Sequence, residues 1–214
     1  MNFFGHAWLA SKQRSDPAYV FGAMLPDLAA MLRLRVERVV DAPLDAGRRF
    51  HLATDEAFHR IPAFERLVLG STRALRETGL RSGPARAVGH VGIELLLDGW
   101  IAERHGVPGP YRPALDRGPA LLGAVVFRGR PDPAPLGDLC RRIAGASHPP
   151  EDWCAPEGLA ARLVRILARR PRLALVASEL PAVRAWATGA RASVAEDAPA
   201  LLDALEARLG AEPR

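Results

Sequence analysis

Between Ser82 and His105 the chain writes a helix that is apolar almost all round, yet it carries two carboxylates at its middle. Ser82-Gly83-Pro84 is a helix-start signal. Beyond it, Val91, Ile93, Leu95, Leu96, Leu97, Trp100 and Ile101 surround Glu94 and Asp98. A helix apolar on every side has to be enclosed by other elements. A carboxylate inside that enclosure is costly unless it is paired or bound to a metal. The segment therefore asks for a surrounding bundle and for partners to its acids, and His90 stands one turn before Glu94.

The rest of the chain supplies the bundle. Helical periodicity dominates. It predicts helices over 2–12, from Asp16-Pro17 to about Leu34, from Pro43 to His59, and from Ile61-Pro62 to Gly79. Pro26 is expected to kink or restart the second of these just before Asp27. Residues 106–119 read as loop, 119–128 as helix, and 128–136 and 147–157 as Pro-rich loops. Further helices are expected at about 136–145, 157–169, 172–190 and 195–209. The expectation is a single all-helical domain over residues 1–214.

Composition agrees with this. Aromatics are only 6%, and Ala and Leu, both strong helix formers, supply most of the apolar content. The net charge of +5 is nearly all arginine, Lys12 being the one lysine. That bias reads as GC-rich bacterial coding, with affinity for phosphates or acidic partners as the functional alternative. The charge is too small, and too free of interleaved aromatics, to predict nucleic-acid binding. No run of about 20 apolar residues predicts a membrane span. Cys140 and Cys154 sit in no metal-finger spacing, and the opening residues lack a signal-peptide pattern, so a reduced cytoplasmic setting is expected.

Two predicted helices each carry three ligand-type residues at intervals of four: His51, Asp55 and His59 on one, and His90, Glu94 and Asp98 on the other. Neighbours at that spacing share a helix face. The ends of each triple lie roughly 12 Å apart along the axis, too far to share one ion. Each helix thus offers a pair and a bystander, or two metal positions bridged by Asp55 or Glu94. Asp27, in an apolar stretch, adds a ligand or a helix cap, and His6 adds an imidazole. Thr54 is either a donor orienting a ligand or a surface residue. His59, His105 and His148 read as ordinary histidines. Such a set predicts hydrolysis by metal-activated water, with no protein nucleophile and no nucleotide-cradling loop in view.

The opening Met1-Asn2-Phe3-Phe4-Gly5-His6-Ala7-Trp8-Leu9-Ala10 resembles the start of bacterial acyl carrier protein phosphodiesterases. Gly22 to Asp27, Arg48-Arg49-Phe50-His51 leading to Thr54-Asp55, and Arg169-Arg170-Pro171-Arg172-Leu173 continue the resemblance. It implies an all-helical, HD-like metal hydrolase that removes 4′-phosphopantetheine from acyl carrier protein with a divalent metal, typically manganese. The chain departs from that family's Asp-x-x-x-Asp-His at Glu94, Asp98 and Gly99, and from its usual Asp at His51. Gly22-x3-Pro26-Asp27 together with His90-x3-Glu94 also resembles zinc-dependent phospholipase C, which implies zinc and phosphodiesters more widely.

The expectation is a metal-dependent phosphodiester hydrolase that binds Mn, Zn or Fe. Its metal ligands are His6, Asp27, His51, Asp55, His90, Glu94 and Asp98, with Asp55 and Glu94 as the catalytic carboxylates and Arg48 and Arg49 holding substrate phosphate. The alternatives are a lipid or nucleotide phosphodiesterase and a non-catalytic helical scaffold. Acyl carrier protein or another phosphodiester is the expected partner; no nucleic acid and no integral membrane contact are expected.

Overall fold

In the computed structural model, which describes residues 1–146 and 154–211, helices form nearly all of the regular structure. Among the described residues there are nine α-helices and one two-stranded antiparallel ribbon. The chain divides into two compact units, one from Met1–Asp55 and His105–His148, the other from Glu56–Arg104 and Pro149–Arg214. No described helix is long and apolar enough to cross a membrane.

The first unit is built on α1 (Phe3–Gln13), α2 (Pro17–Met31), most of α3 (Ala42–His59), α6 (Tyr111–Leu121) and α7 (Ala134–Ala144). The Asp16 side chain accepts from the Ala18 backbone N–H and Pro17 fills the first helical position, so α2 starts where the cap signal predicts. Of the kink or restart expected at Pro26 the restart is absent: α2 runs through Pro26 to Met31, which leaves Asp27 inside the helix and removes its capping role. An interior proline costs about 3 kcal/mol. Burial of Val20, Phe21, Met24, Leu25 and Leu28 outweighs that at roughly 1.5–3 kcal/mol per large side chain. Gly22 and Gly47 let α2 and α3 touch backbone to backbone. A Cβ at Gly22 would collide with the Leu44 carbonyl, and one at Gly47 with the Tyr19 carbonyl.

Two further expectations fail in this unit. Residues 111–121 are helical despite their prolines, because Tyr111, Ala114, Leu115 and Gly118 present one buried face. Residues 119–128, expected as helix, end in β2 (Val125–Phe127), which pairs with β1 (Val36–Val39), a strand the helical reading missed. Both strands are short, and their Val and Phe content suits a pleated, half-buried surface.

The second unit is built on α4 (Pro62–Glu77), α5 (Ser82–His105), α8 (Pro156–Leu167) and α9 (Leu180–Ala211). α5 is enclosed as its sequence demands, with Val88, Ile93, Glu94, Leu95, Leu96, Leu97, Asp98 and Ile101 all buried. Its glycines mark the close approaches. The Cβ positions of Gly89, Gly92 and Gly99 are taken by Thr72, the Trp186 ring and Cys154 Sγ. Where two helices are expected over 172–209, a single α9 runs through Pro199, and residues 172–176 are non-helical.

Candidate metal centres

Three helices of the first unit converge on one point. α1 places His6, α2 places Asp27 and α3 places His51, and one ligand atom from each lies within 4.8 Å of the other two. The close contact of α2 with α3 at Gly22 and Gly47 brings Asp27 and His51 together across the helix pair. His6 is fully buried and His51 is 5% exposed, and their rings lie 3.9 Å apart between centroids.

Hydrogen bonding sets both tautomers. His51 Nδ1 lies 2.9 Å from the Ala23 carbonyl oxygen. A carbonyl only accepts, so Nδ1 carries the proton and Nε2 the lone pair. His6 Nδ1 lies 3.1 Å from Thr54 Oγ1, and that hydroxyl has only the Phe50 and His51 carbonyls, at 2.7 and 2.9 Å, to donate to. Its one proton is committed to the backbone, so it accepts from His6 Nδ1–H, and His6 also keeps its lone pair on Nε2. Burial pushes the His51 pKa down, against the opposing effects of the Ala23 carbonyl and Asp55, which favours the neutral imidazole a metal requires. Thr54 is fully buried and not a surface residue, and it holds His6 as an acceptor, not as the expected donor, because its one proton goes to the backbone.

Asp55 lies outside this group of three; its Oδ1 is 3.9 Å from His6 Nε2 and its side chain is 42% exposed. A cleft of about 320 Å³ is lined by Pro26 and Leu52, the chain neighbours of Asp27 and His51, and by Ala29, Leu34, Val36, Arg35 and Arg48. Arg48 and Arg49 both bond the Asp45 carboxylate, at 2.7 and 2.6 Å. Of this pair, Arg48 lines the cleft.

A second group forms in the other unit. His59, at the end of α3, joins His90 and Glu94 of α5. The α3 triple is therefore split, His51 going to one group and His59 to the other. His59, read as ordinary from the sequence, is the member that reading missed; its signal was its place one turn beyond Asp55. Burial opposes ionisation of Glu94, but the positive charge of the N-terminal amine and, after it, hydrogen bonds to the His59 and His90 imidazoles hold its carboxyl well below the usual range. Asp98 is buried but belongs to neither group. His105 packs on Trp8, with ring centroids 5.0 Å apart, and His148 lies outside the described residues.

No family model, curated protein or solved structure matches this chain.

Proposed function

We propose that this protein is a metal-dependent phosphodiester hydrolase of the HD-like or phospholipase C-like kind, acting at His6, Asp27 and His51. The observation that carries the reading is the convergence of these three residues, with both imidazoles presenting Nε2; the chain neighbours Pro26 and Leu52 line a cleft that also holds Arg35 and Arg48. Two neutral imidazoles and a carboxylate form a donor set that suits Mn, Zn or Fe. A divalent ion bound there supplies Lewis acidity toward a phosphate oxygen and acidifies water.

The chain's own groups do the rest. Thr54 and the Ala23 carbonyl keep the imidazoles in one tautomer and one orientation. Arg48 and Arg35 offer guanidinium donors to a phosphate in the cleft, and the apolar lining offers a surface for its ester arm. Asp55, half-exposed and next to His6, is placed to take a proton from incoming water or to act as a further ligand. The substrate proposed is a phosphodiester with an acidic carrier, of which phosphopantetheinylated acyl carrier protein is one. Supporting that, Arg38 on the β1–β2 ribbon and Arg33, Arg35, Arg128 and Arg130 in the residues flanking its strands are exposed, a basic surface that would speed encounter with an acidic protein.

The test is hydrolysis of bis-p-nitrophenyl phosphate by protein loaded with Mn or Zn. Wild type is expected to cleave it, and Asp27→Asn and His51→Ala to lose at least about 100-fold, since loss of even an outer partner of a ligand costs about 10–100-fold. Metal-loaded wild type inert on every phosphodiester tried, holo-acyl carrier protein included, refutes the reading.

A further inference from the structure

We propose that His59, His90 and Glu94 form a second metal site that selects a zinc-class ion in tetrahedral coordination, with its fourth position open to solvent. The argument is geometric. His59 Nε2 and His90 Nε2 are 3.2 Å apart, and Glu94 Oε1 lies 3.3 Å from the first and 3.2 Å from the second. Three ligand atoms thus stand at the corners of a nearly equilateral triangle. In a regular tetrahedron the edge is about 1.63 times the bond length, so edges of 3.2–3.3 Å correspond to bonds of about 2.0 Å. That is the zinc–nitrogen and zinc–oxygen distance, and two His with one Glu is a three-ligand set used by zinc sites that keep an open position. In an octahedral face the edge is about 1.41 times the bond, giving about 2.3 Å, long for magnesium.

Hydrogen bonding alone accounts for the triangle poorly. Each neutral imidazole has one N–H, and if it lies on Nε2 it points along a single direction. Two Nε2 atoms that approach each other and one carboxylate oxygen at nearly equal distances leave at least one edge without a well-aimed proton. Three lone pairs aimed at one cation leave none. The rings are also held for this task. They are within 12° of parallel, and Phe64 stands edge-on to both, with centroids 5.3 Å from His59 and 5.4 Å from His90. Phe58 backs Phe64 at 4.2 Å. Glu94 is the buried corner at 11% side-chain exposure, whereas His59 and His90 are 32% and 40% exposed, which lets water reach the fourth position. The site shares no ligand with the hydrolase reading; only the total of two equivalents in wild type rests on that reading, and the loss of one equivalent in His59→Ala does not.

The experiment is zinc stoichiometry and cobalt spectroscopy on the full chain purified without chelator. Wild type is expected to hold two equivalents of zinc, and His59→Ala and Glu94→Gln one each, with unchanged far-UV circular dichroism. Asp27→Asn, which disables the other group, is expected to keep one equivalent. When this variant is loaded with Co²⁺ it should show the intense visible absorption of tetrahedral cobalt, and the His59→Ala protein should lack that absorption. Equal zinc content in wild type and His59→Ala overturns the site. Only the weak absorption of octahedral cobalt in wild type overturns the tetrahedral assignment, whatever the variants do.

Discussion

Replacing Thr54 by valine tests whether the orienting hydroxyl works as its geometry implies. Valine keeps the β-branched shape and nearly the same helix propensity, so α3 is undisturbed. The lost group is Oγ1, which accepts from His6 Nδ1 at 3.1 Å. Its bonds to the Phe50 and His51 carbonyls are expendable, since carbonyls in a helix interior already accept from the backbone. His6 is fully buried, so water does not replace the lost acceptor. A buried donor left unsatisfied costs about 1–3 kcal/mol, or a fall in Tm of roughly 2–12 °C in a chain of this size. Freed from Thr54, the imidazole also samples the other tautomer and ring orientation, and loss of such an outer partner weakens metal affinity about 10–100-fold. Thermal unfolding of the apo protein and competition with a chromogenic chelator measure the two effects. Thr54→Ser, which keeps the hydroxyl, should retain affinity within a few-fold. If Thr54→Val binds metal as tightly as wild type, the hydroxyl does not set the tautomer and the ligand geometry argued for His6 is wrong.

Gly99→Ala should destabilise by about 1–3 kcal/mol in urea unfolding, because a Cβ there collides with Cys154 Sγ, and Cys154→Ala in the same chain should restore most of the loss. Burial pushes both thiols up, Cys140 to about 11 and Cys154 to about 11 from an ordinary value of 9.0. A folded pKa raised in this way leaves the stabilisation complete below pH 9 and removes it as pH rises from about 9 toward 11. Each thiol then contributes on the order of 2–3 kcal/mol. Urea stability measured from pH 8 to 10.5 should therefore fall less steeply in Cys140→Ala/Cys154→Ala than in wild type, and equal slopes would contradict it. In the native protein at pH 8 both cysteines should react with a thiol reagent orders of magnitude more slowly than after unfolding, since both are buried and protonated.

The fold was legible where period and punctuation agree. Asp16-Pro17 and Ile61-Pro62 mark helix starts that the structure uses, because cap and first-turn proline are local physics. Proline misled where tertiary burial outweighed it. Pro26 and Pro119 lie inside helices whose apolar faces are buried, so local rules overcounted breaks in α2 and α6, and α9 runs unbroken through 190–195, where a break was expected though no proline stands there. The ribbon was invisible for a different reason. Val36–Val39 and Val125–Phe127 are four and three residues long, too short for a period-two pattern to stand out, and each strand exists because the other pairs with it.

The metal groups illustrate the same limit more sharply. Spacing along one helix identifies residues that share a face, and on that basis His51 pairs with Asp55 and His90 with Glu94. Of these, only His90 and Glu94 meet in one group of mutual approach. His51 instead meets His6 and Asp27, residues 45 and 24 positions away in the chain, because three helices cross there. A helix presents side chains over about 100° of its surface, and neighbouring positions on that stripe face different partners. Ligand sets are therefore chosen by helix crossings, which depend on features such as the Gly22–Gly47 contact and not on the ligand spacing. His59 follows from this. Alone at the end of α3 it has the profile of a surface histidine, and it acquires a role only when α5 brings His90 and Glu94 within 3.3 Å of it. A buried carboxylate in an apolar helix was the one signal that pointed across the gap between helices, since Glu94 needed partners that its own helix did not fully supply.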